Sequence, residues 1–344
     1  MKKVHICFMI DTEHSFDKWF SVYNLFKSCC DDNECKVSIL KQEEKVSPTY
    51  NNFLSNLNKN IEVYVYNERG KKLDLSRLNI DAIIVINPYY YKYDEWRNKV
   101  KIYLKLYGIY CSKAFENEQF LSVQVIKEAH RILCDSKYQK KAFSKVVDDE
   151  KKLILSGSIN FDYILKDKKD INQNLWRLNR NNKNVKRVIW SPHYAIKTNW
   201  VLGTKENLPA GTKNDGFSQF TKYADLWLKI PKMYPNLDII MKPHPLLFKQ
   251  LETQTDGEWN QERIAKWKKD FLNNPNTQIM EHGLYGDLFL TSDGIINSSV
   301  SFIAEYLPTL KPFLQCINVN GPGYNEFGQE IVDSYYKAYE EKDI

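Results

Sequence analysis

Residues 4–10 (VHICFMI) form a short apolar run rich in β-formers, closed by the polar Asp11-Thr12-Glu13-His14. That pattern predicts a buried strand running into a loop. Phe16, Trp19, Phe20, Tyr23, Leu25 and Phe26 then recur at helical spacing. Residues 37–40 predict a second strand, and 61–66 (IEVYVY) alternate like a third. Residues 80–86 (IDAIIVI) are continuously apolar and stop at Asn87-Pro88, as in a central parallel strand covered on both faces. Residues 104–111 and 131–135 add further short strands. A strongly polar stretch, 166–187, interrupts the rhythm and predicts a solvated helix plus surface linker. Beyond it the alternation restarts, with strands at 188–190, 237–241, 294–297 and 313–317. Helices are predicted at 220–230, 262–272 and 300–307, and 331–344 reads as a polar, tyrosine-bearing helix. Strands alternating with helices indicate α/β sheets. The expected organisation is an N-terminal domain over 1–165, a polar linker over 166–187 and a C-terminal domain over 188–344.

Composition narrows the class. The length of 344 residues suits about two domains with real cores. Apolar residues at 43% and charged residues at 27% exclude a disordered chain. The net charge of +6 is spread along the sequence, so it tolerates an anionic ligand or membrane surface without indicating nucleic acid. No apolar run reaches the roughly 18–20 residues that span a bilayer, and Asp11 and Glu13 cut short any secretory pattern. A soluble, cytoplasmic protein is the expectation. Seven cysteines, without a CxxC pair, read as reduced structural thiols. Aromatic residues at 14% exceed what a core alone calls for and suit a protein that handles sugars or polyols.

Three segments of the second half share one design, a buried strand that stops and delivers polar residues into a loop. Ligands of open α/β sheets bind outside the carboxyl ends of the strands, so these stops are where chemistry is expected. In Val188-Ile189-Trp190-Ser191-Pro192-His193-Tyr194, Pro192 ends the strand and leaves His193 at the turn, as a proton acceptor or a cation for phosphate. In Ile239-Ile240-Met241-Lys242-Pro243-His244-Pro245, two prolines stiffen the loop around His244 while Lys242 adds a charge, a pairing suited to pyrophosphate. In Ser292-Asp293-Gly294-Ile295-Ile296-Asn297-Ser298-Ser299-Val300-Ser301, a helix is expected to start near Ser298 or Ser299. Three serines there exceed the needs of one N-cap and make an anion site. Glu305, a turn further on, is placed either to take the hydroxyls of a ribose or on a solvated helix face.

The order SPHY, then KPHP about 50 residues later, then SDGIINSSVSFIAEYLPTLKPFL after another 50 or so, resembles the CDP-glycerol glycerophosphotransferase family of teichoic-acid and capsule synthesis. The resemblance covers residues 185–330 well. It extends more weakly to IDTEHSFDKWFSVYNLF, INPYYYKYDEW and LSGSINFDY in the first half, and the chain resembles the family's shorter branch. It implies a GT-B-like α/β fold: two Rossmann-like domains facing a central cleft, the C-terminal one holding the nucleotide donor. It also implies an enzyme that transfers a phosphopolyol from a CDP-linked donor to a hydroxyl and releases CMP. Two departures stand out. The family commonly has Asp where this chain has Asn297, and the WHGTPLK-type histidine loop of the long polymerases is replaced by INPYYYKYDEW.

On this reading Lys242, His244, Asn297, Ser298, Ser299, Ser301 and Glu305 bind the donor. His193 is the leading general base, with His14 or Asp11 as alternatives. Phosphoryl transfer needs positioning and charge neutralisation above all. No DxD motif is present, so neither a metal nor a cofactor is expected. The acceptor is a glycan or polyol phosphate, lipid-linked acceptors included, which leaves peripheral contact with the inner membrane face open. The alternatives are a GT-B glycosyltransferase using a nucleotide sugar and a non-catalytic glycan- or nucleotide-binding subunit. Nothing after Tyr324 is long enough for the C-terminal helix that crosses back in GT-B chains, which leaves a truncated chain or one domain of a longer enzyme as expectations.

Overall fold

A computed structural model describes residues 3–10, 22–42, 61–66, 78–86, 100–106, 108–113, 124–178, 184–197, 215–281 and 285–344. Asp11, His14 and the INPYYYKYDEW segment lie outside the described residues. The chain divides into two compact units, residues 1–110 with 116–162, and residues 111–115 with 163–344.

The first unit is built on β1 (Val4–Ile10), β2 (Cys35–Gln42), β3 (Glu62–Tyr66), β4 (Ala82–Val85), β5 (Lys101–Leu104), β6 (Arg131–Cys134) and β7 (Leu153–Leu155). All pair in parallel, in the order β3-β2-β1-β4-β5-β6-β7. Helices α1 (Tyr23–Asp31), α2 (Gln124–Glu128) and α3 (Lys137–Phe143) belong to this unit. Phe8, Ile39 and Ile84 from three neighbouring strands pack with Val22 and Phe26, so the apolar runs of the sequence are core strands.

The second unit repeats the plan. Its strands are β8 (Lys186–Ser191), β9 (Leu237–Met241), β10 (Thr277–Ile279), β11 (Gly294–Asn297), β12 (Phe313–Cys316) and β13 (Tyr336–Ala338). They are parallel in the order β10-β9-β8-β11-β12-β13. In both sheets the first three strands run outward and the fourth returns to the other side of the first, the doubly wound order with its switch point beside the first strand. The helices are α4 (Phe220–Met233), α5 (Leu247–Gln254), α6 (Gln261–Leu272), α7 (Gly286–Thr291), α8 (Ser301–Glu305) and α9 (Glu326–Asp333). Phe220, Tyr223, Ala224, Trp227 and Ile230 form one buried stripe on α4, at the spacing that faces a sheet. There Trp190 of β8 stacks on Trp227 at 4.4 Å, and Trp267 of α6 stacks on Phe271 at 5.2 Å. Much of the aromatic excess in this half is thus core, each ring pair worth about 0.5–1.5 kcal/mol beyond its burial.

The polar stretch read as a linker differs in part. Residues 186 and 187 already belong to β8, and 163–178 lie on the second unit as a strap. Lys166 pairs with Asp287 at 2.7 Å, Trp176 Nε1 donates to Thr291 Oγ1 at 2.8 Å, and the Leu178 N–H donates to Asp238 Oδ2 at 2.7 Å. One buried tryptophan in a polar run anchors what composition suggests is free. The C-terminal segment also differs. Instead of one helix over 331–344, α9 starts at an Asn325 cap, and β13 then adds an edge strand. Tyr335, stacked on Phe313 at 4.1 Å, fixes that turn. The seven cysteines are free thiols, and burial pushes Cys7 and Cys316 up to about 12. Among the described residues no helix is long and apolar enough to cross a membrane.

Candidate functional site

Strands β9, β8 and β11 are neighbours, and being parallel they end on one edge of the sheet. The three polar turns singled out in the sequence are therefore brought together. Backbone hydrogen bonds continue past the strands and zip the turns to one another. The Lys242 N–H donates to Trp190 O at 2.7 Å, His244 N–H to Pro192 O at 3.1 Å, and Ser298 N–H to Ser191 O at 2.9 Å. The His193 and His244 rings lie 5.3 Å apart, with Tyr194 4.4 Å from His244. Lys242 is buried beside them at the end of β9.

The two imidazoles are held in the same way. His193 Nδ1 accepts the Ala195 N–H at 3.1 Å, and His244 Nδ1 accepts the Leu246 N–H at 3.2 Å. A neutral ring whose Nδ1 accepts carries its proton on Nε2. Both histidines thus present Nε2–H as a donor, an arrangement suited to an anion. The proton-accepting nitrogen that a general base needs is, in His193, already used by Ala195.

The third turn departs from expectation. The helix starts at Ser301, later than Ser298 or Ser299, and α8 has five residues. The Ser298 amide is engaged with β8, and its hydroxyl accepts the Gln219 N–H at 3.4 Å. Among the described residues no acceptor meets the N–H groups of Ser299, Val300 or Ser301. Asn297 is fully buried, and its Nδ2 donates to Ser299 O at 2.7 Å and to Gln315 Oε1 at 2.6 Å. Gln315 in turn donates to the buried Tyr324 hydroxyl at 2.8 Å. The amide of Asn297 thus shapes the turn from behind. Glu305 is 2% exposed, which removes the solvated-face reading. Its backbone carbonyl accepts from Tyr163 Oη at 2.7 Å, and burial first, then the Glu305 charge, holds the Tyr163 phenol above its ordinary range.

Two further contributors escaped the sequence reading. Residues 215–219 run antiparallel to 195–197, with Gly216 N–H on Ile196 O at 2.6 Å and Ser218 N–H on Ala195 O at 2.8 Å. A Cβ at Gly216 would sit 2.1 Å from Ala195 O, so only glycine permits this approach. Phe217 is thereby set edge-on to His193 at 5.6 Å. The other is Gln254, buried at the end of α5. Its Oε1 accepts from Ile196 N–H at 2.8 Å and Lys197 N–H at 3.2 Å, while its Nε2 donates to Tyr194 O at 3.0 Å. Gln254 ties the His193 loop to the helix that follows the His244 loop. A glycine ahead of an apolar helix is a faint signal for the first, and the sequence holds none for the second. Among the described residues no three His, Cys, Asp or Glu side chains gather as a metal site.

The sequence matches no protein-family model and no curated protein significantly. The structure resembles the UDP-GlcNAc 2-epimerase of Neisseria meningitidis bound to UDP-GlcNAc, with a TM-score of 0.60 and 11% identity, over 98% of this chain and 87% of that one. The fold is GT-B. A complex of S. aureus MnaA with UDP is similar, with a TM-score of 0.58 at 10% identity over 97% and 87% of the two chains. So is the wall teichoic acid polymerase TagF, with a TM-score of 0.52 at 11% identity over 91% of this chain and 70% of that one.

Proposed function

We propose that the protein is a transferase that moves a phosphopolyol, glycerol phosphate or a relative, from a CDP-linked donor to a hydroxyl of a teichoic- or capsule-type acceptor, releasing CMP. The observation that carries the reading is the pair of Nε2–H donors of His193 and His244 beside Lys242, at the carboxyl edge of a doubly wound sheet. Two donors and a cation on stiff loops are the equipment for a diphosphate. The Ser299–Ser301 amides add to it, Asn297 holds their turn, and Glu305 takes the ribose hydroxyls. The resemblance of the three motifs supports cytidine. The likeness to a teichoic acid polymerase and to UDP-sugar enzymes supports a nucleotide-linked donor. With His193 a donor, the proton acceptor is His14 or Asp11. Charge is neutralised by these side chains without a metal, so EDTA leaves turnover unchanged.

Incubation with CDP-glycerol, CDP-ribitol and UDP-GlcNAc, resolved by nucleotide chromatography, tests this. CMP release is the expected result, and His193→Ala and His244→Ala each lower it by about 10²–10³-fold, the cost of one oxyanion donor. UDP release or an isomerised UDP-sugar replaces the reading with nucleotide-sugar chemistry, and binding without turnover replaces it with a ligand-binding subunit.

A further inference from the structure

The first unit carries a second polar cluster on the carboxyl edge of its own sheet. Lys105 follows β5, Asp135 follows β6 and Gly157 lies just past β7, three adjacent parallel strands. Lys105 is 3% exposed, and among the described residues its ammonium makes one hydrogen bond, to Gly157 O at 3.2 Å. Asp135 Oδ2 accepts the Tyr110 N–H at 3.2 Å, and Oδ1, shielded from solvent, meets no donor in hydrogen-bonding geometry among the described residues. Ser136 lies beside this carboxylate, its hydroxyl accepting from the Gln139 N–H at 3.2 Å. Gln139, 1% exposed, accepts the Asp135 N–H on Oε1 at 2.8 Å and leaves Nε2 buried without a partner among the described residues. The buried Lys105 and the half-buried Asp135 attract one another yet form no ion pair with each other. Burial raises the carboxyl and lowers the ammonium.

A buried polar group left unmet is costly, so a cluster of them signals an absent partner. Its chemistry follows from the groups present. A phosphate suits Lys105 and Gln139 but meets the Asp135 charge, and a cation suits Asp135 but meets Lys105. A hydroxyl accepts from Lys105 and Gln139 while donating to Asp135 Oδ1. We propose that Lys105, Asp135 and Gln139 form a second binding site, which takes a hydroxyl of a polyol or sugar. The carboxyl edge of a parallel sheet is where such folds bind ligands, which favours a substrate hydroxyl over a structural water. The site rests on the transferase reading only for naming this polyol as the acceptor.

Saturation-transfer NMR with ribitol and with glycerol tests the site, alongside a CDP titration that reports on the other unit. Wild type is expected to bind ribitol, and Asp135→Asn and Lys105→Met to weaken it about tenfold or more, the value of one lost charged hydrogen bond. CDP binding stays unchanged. Should Lys105→Met unfold, Gln139→Glu decides: it keeps the acceptor for the Asp135 N–H, replaces the donor with an acceptor, and is expected to weaken ribitol as well. Absence of binding in wild type, equal binding in the variants, or a lone water at the spot in ribitol-soaked crystals overturns the proposal. Loss of CDP binding with ribitol binding intact overturns the donor reading instead.

Discussion

Asn297→Asp isolates what an amide does at the third turn. In the native protein Nδ2 serves two acceptors, Ser299 O at 2.7 Å and Gln315 Oε1 at 2.6 Å, at a fully buried position. A neutral aspartic acid can replace it. Its O–H donates to Ser299 O, Gln315 reverses its amide to donate to that same hydroxyl oxygen, and the Tyr324 hydroxyl donates to the turned Oε1. An ionised aspartate has no proton for Ser299 O and carries a buried charge with no cation beside it among the interactions at this turn, a penalty of about 3 kcal/mol or more. At about 1.4 kcal/mol per pH unit, that raises the folded pKa roughly two units above the unfolded value near 3.9. The native state then binds the proton more tightly than the unfolded chain, so stability falls as pH rises from about 4 to about 6 and stays low above. Urea unfolding of the variant and wild type, compared across pH 4 to 8, reads this directly. A difference between the two that is constant with pH would refute the reasoning. Two acceptors are placed for the amide nitrogen of residue 297, which bears on the Asp common there in the resembled family.

Other perturbations separate the parts of the fold. Gln254→Leu leaves Tyr194 O and the Ile196 and Lys197 amides unmet. It should cost about 2–4 kcal/mol in denaturant unfolding and weaken pyrophosphate binding as the histidine loops part, whereas Gln254→Glu recovers the two amide bonds and part of the affinity. Gly216→Ala drives a Cβ into Ala195 O and is expected to lower the melting temperature and CDP affinity together, since the 215–219 segment must detach. His5, buried against Ser38 at 2.9 Å, has its pKa lowered by burial and then by Lys36. The unfolded chain therefore binds the extra proton, and His5 withdraws stability as pH falls below its ordinary value near 6.5. His5→Gln should flatten that limb of the stability profile, and an unchanged limb counts against the assignment.

The strands and their polar stops were legible because they depend on local pattern. An apolar run that ends at a proline or at an Asn-Ser pair is a buried strand delivering a turn, and parallel strands share a carboxyl edge. His193, Lys242, His244 and Ser298 could be grouped on that basis before any coordinates. The parts that were not legible depend on distance along the chain. Gln254 meets Ile196 across 58 residues and Tyr194 across 60, and neither periodicity nor composition marks a glutamine for that task. The strap differs for a related reason: its polarity describes most of its residues, while the buried Trp176, with the bonds of Lys166 and Leu178, decides where it lies.

Protonation gave the largest change of reading, and it could not have come from sequence. A histidine after a strand can accept or donate, and residue type leaves the choice open. The choice is made by the backbone two residues on, where the N–H groups of Ala195 and Leu246 fold back onto Nδ1. Two unrelated turns, SPHY and KPHP, reach the same geometry through the same His-to-i+2 bond. A proline before each histidine fixes the approach of the chain. One such bond would be an ordinary turn. Two, on adjacent strands with their rings 5.3 Å apart, bring two such imidazoles together. Two neighbouring donors can serve two oxygens of one anion, which is why the pairing, more than either histidine alone, is the observation behind the proposed diphosphate site.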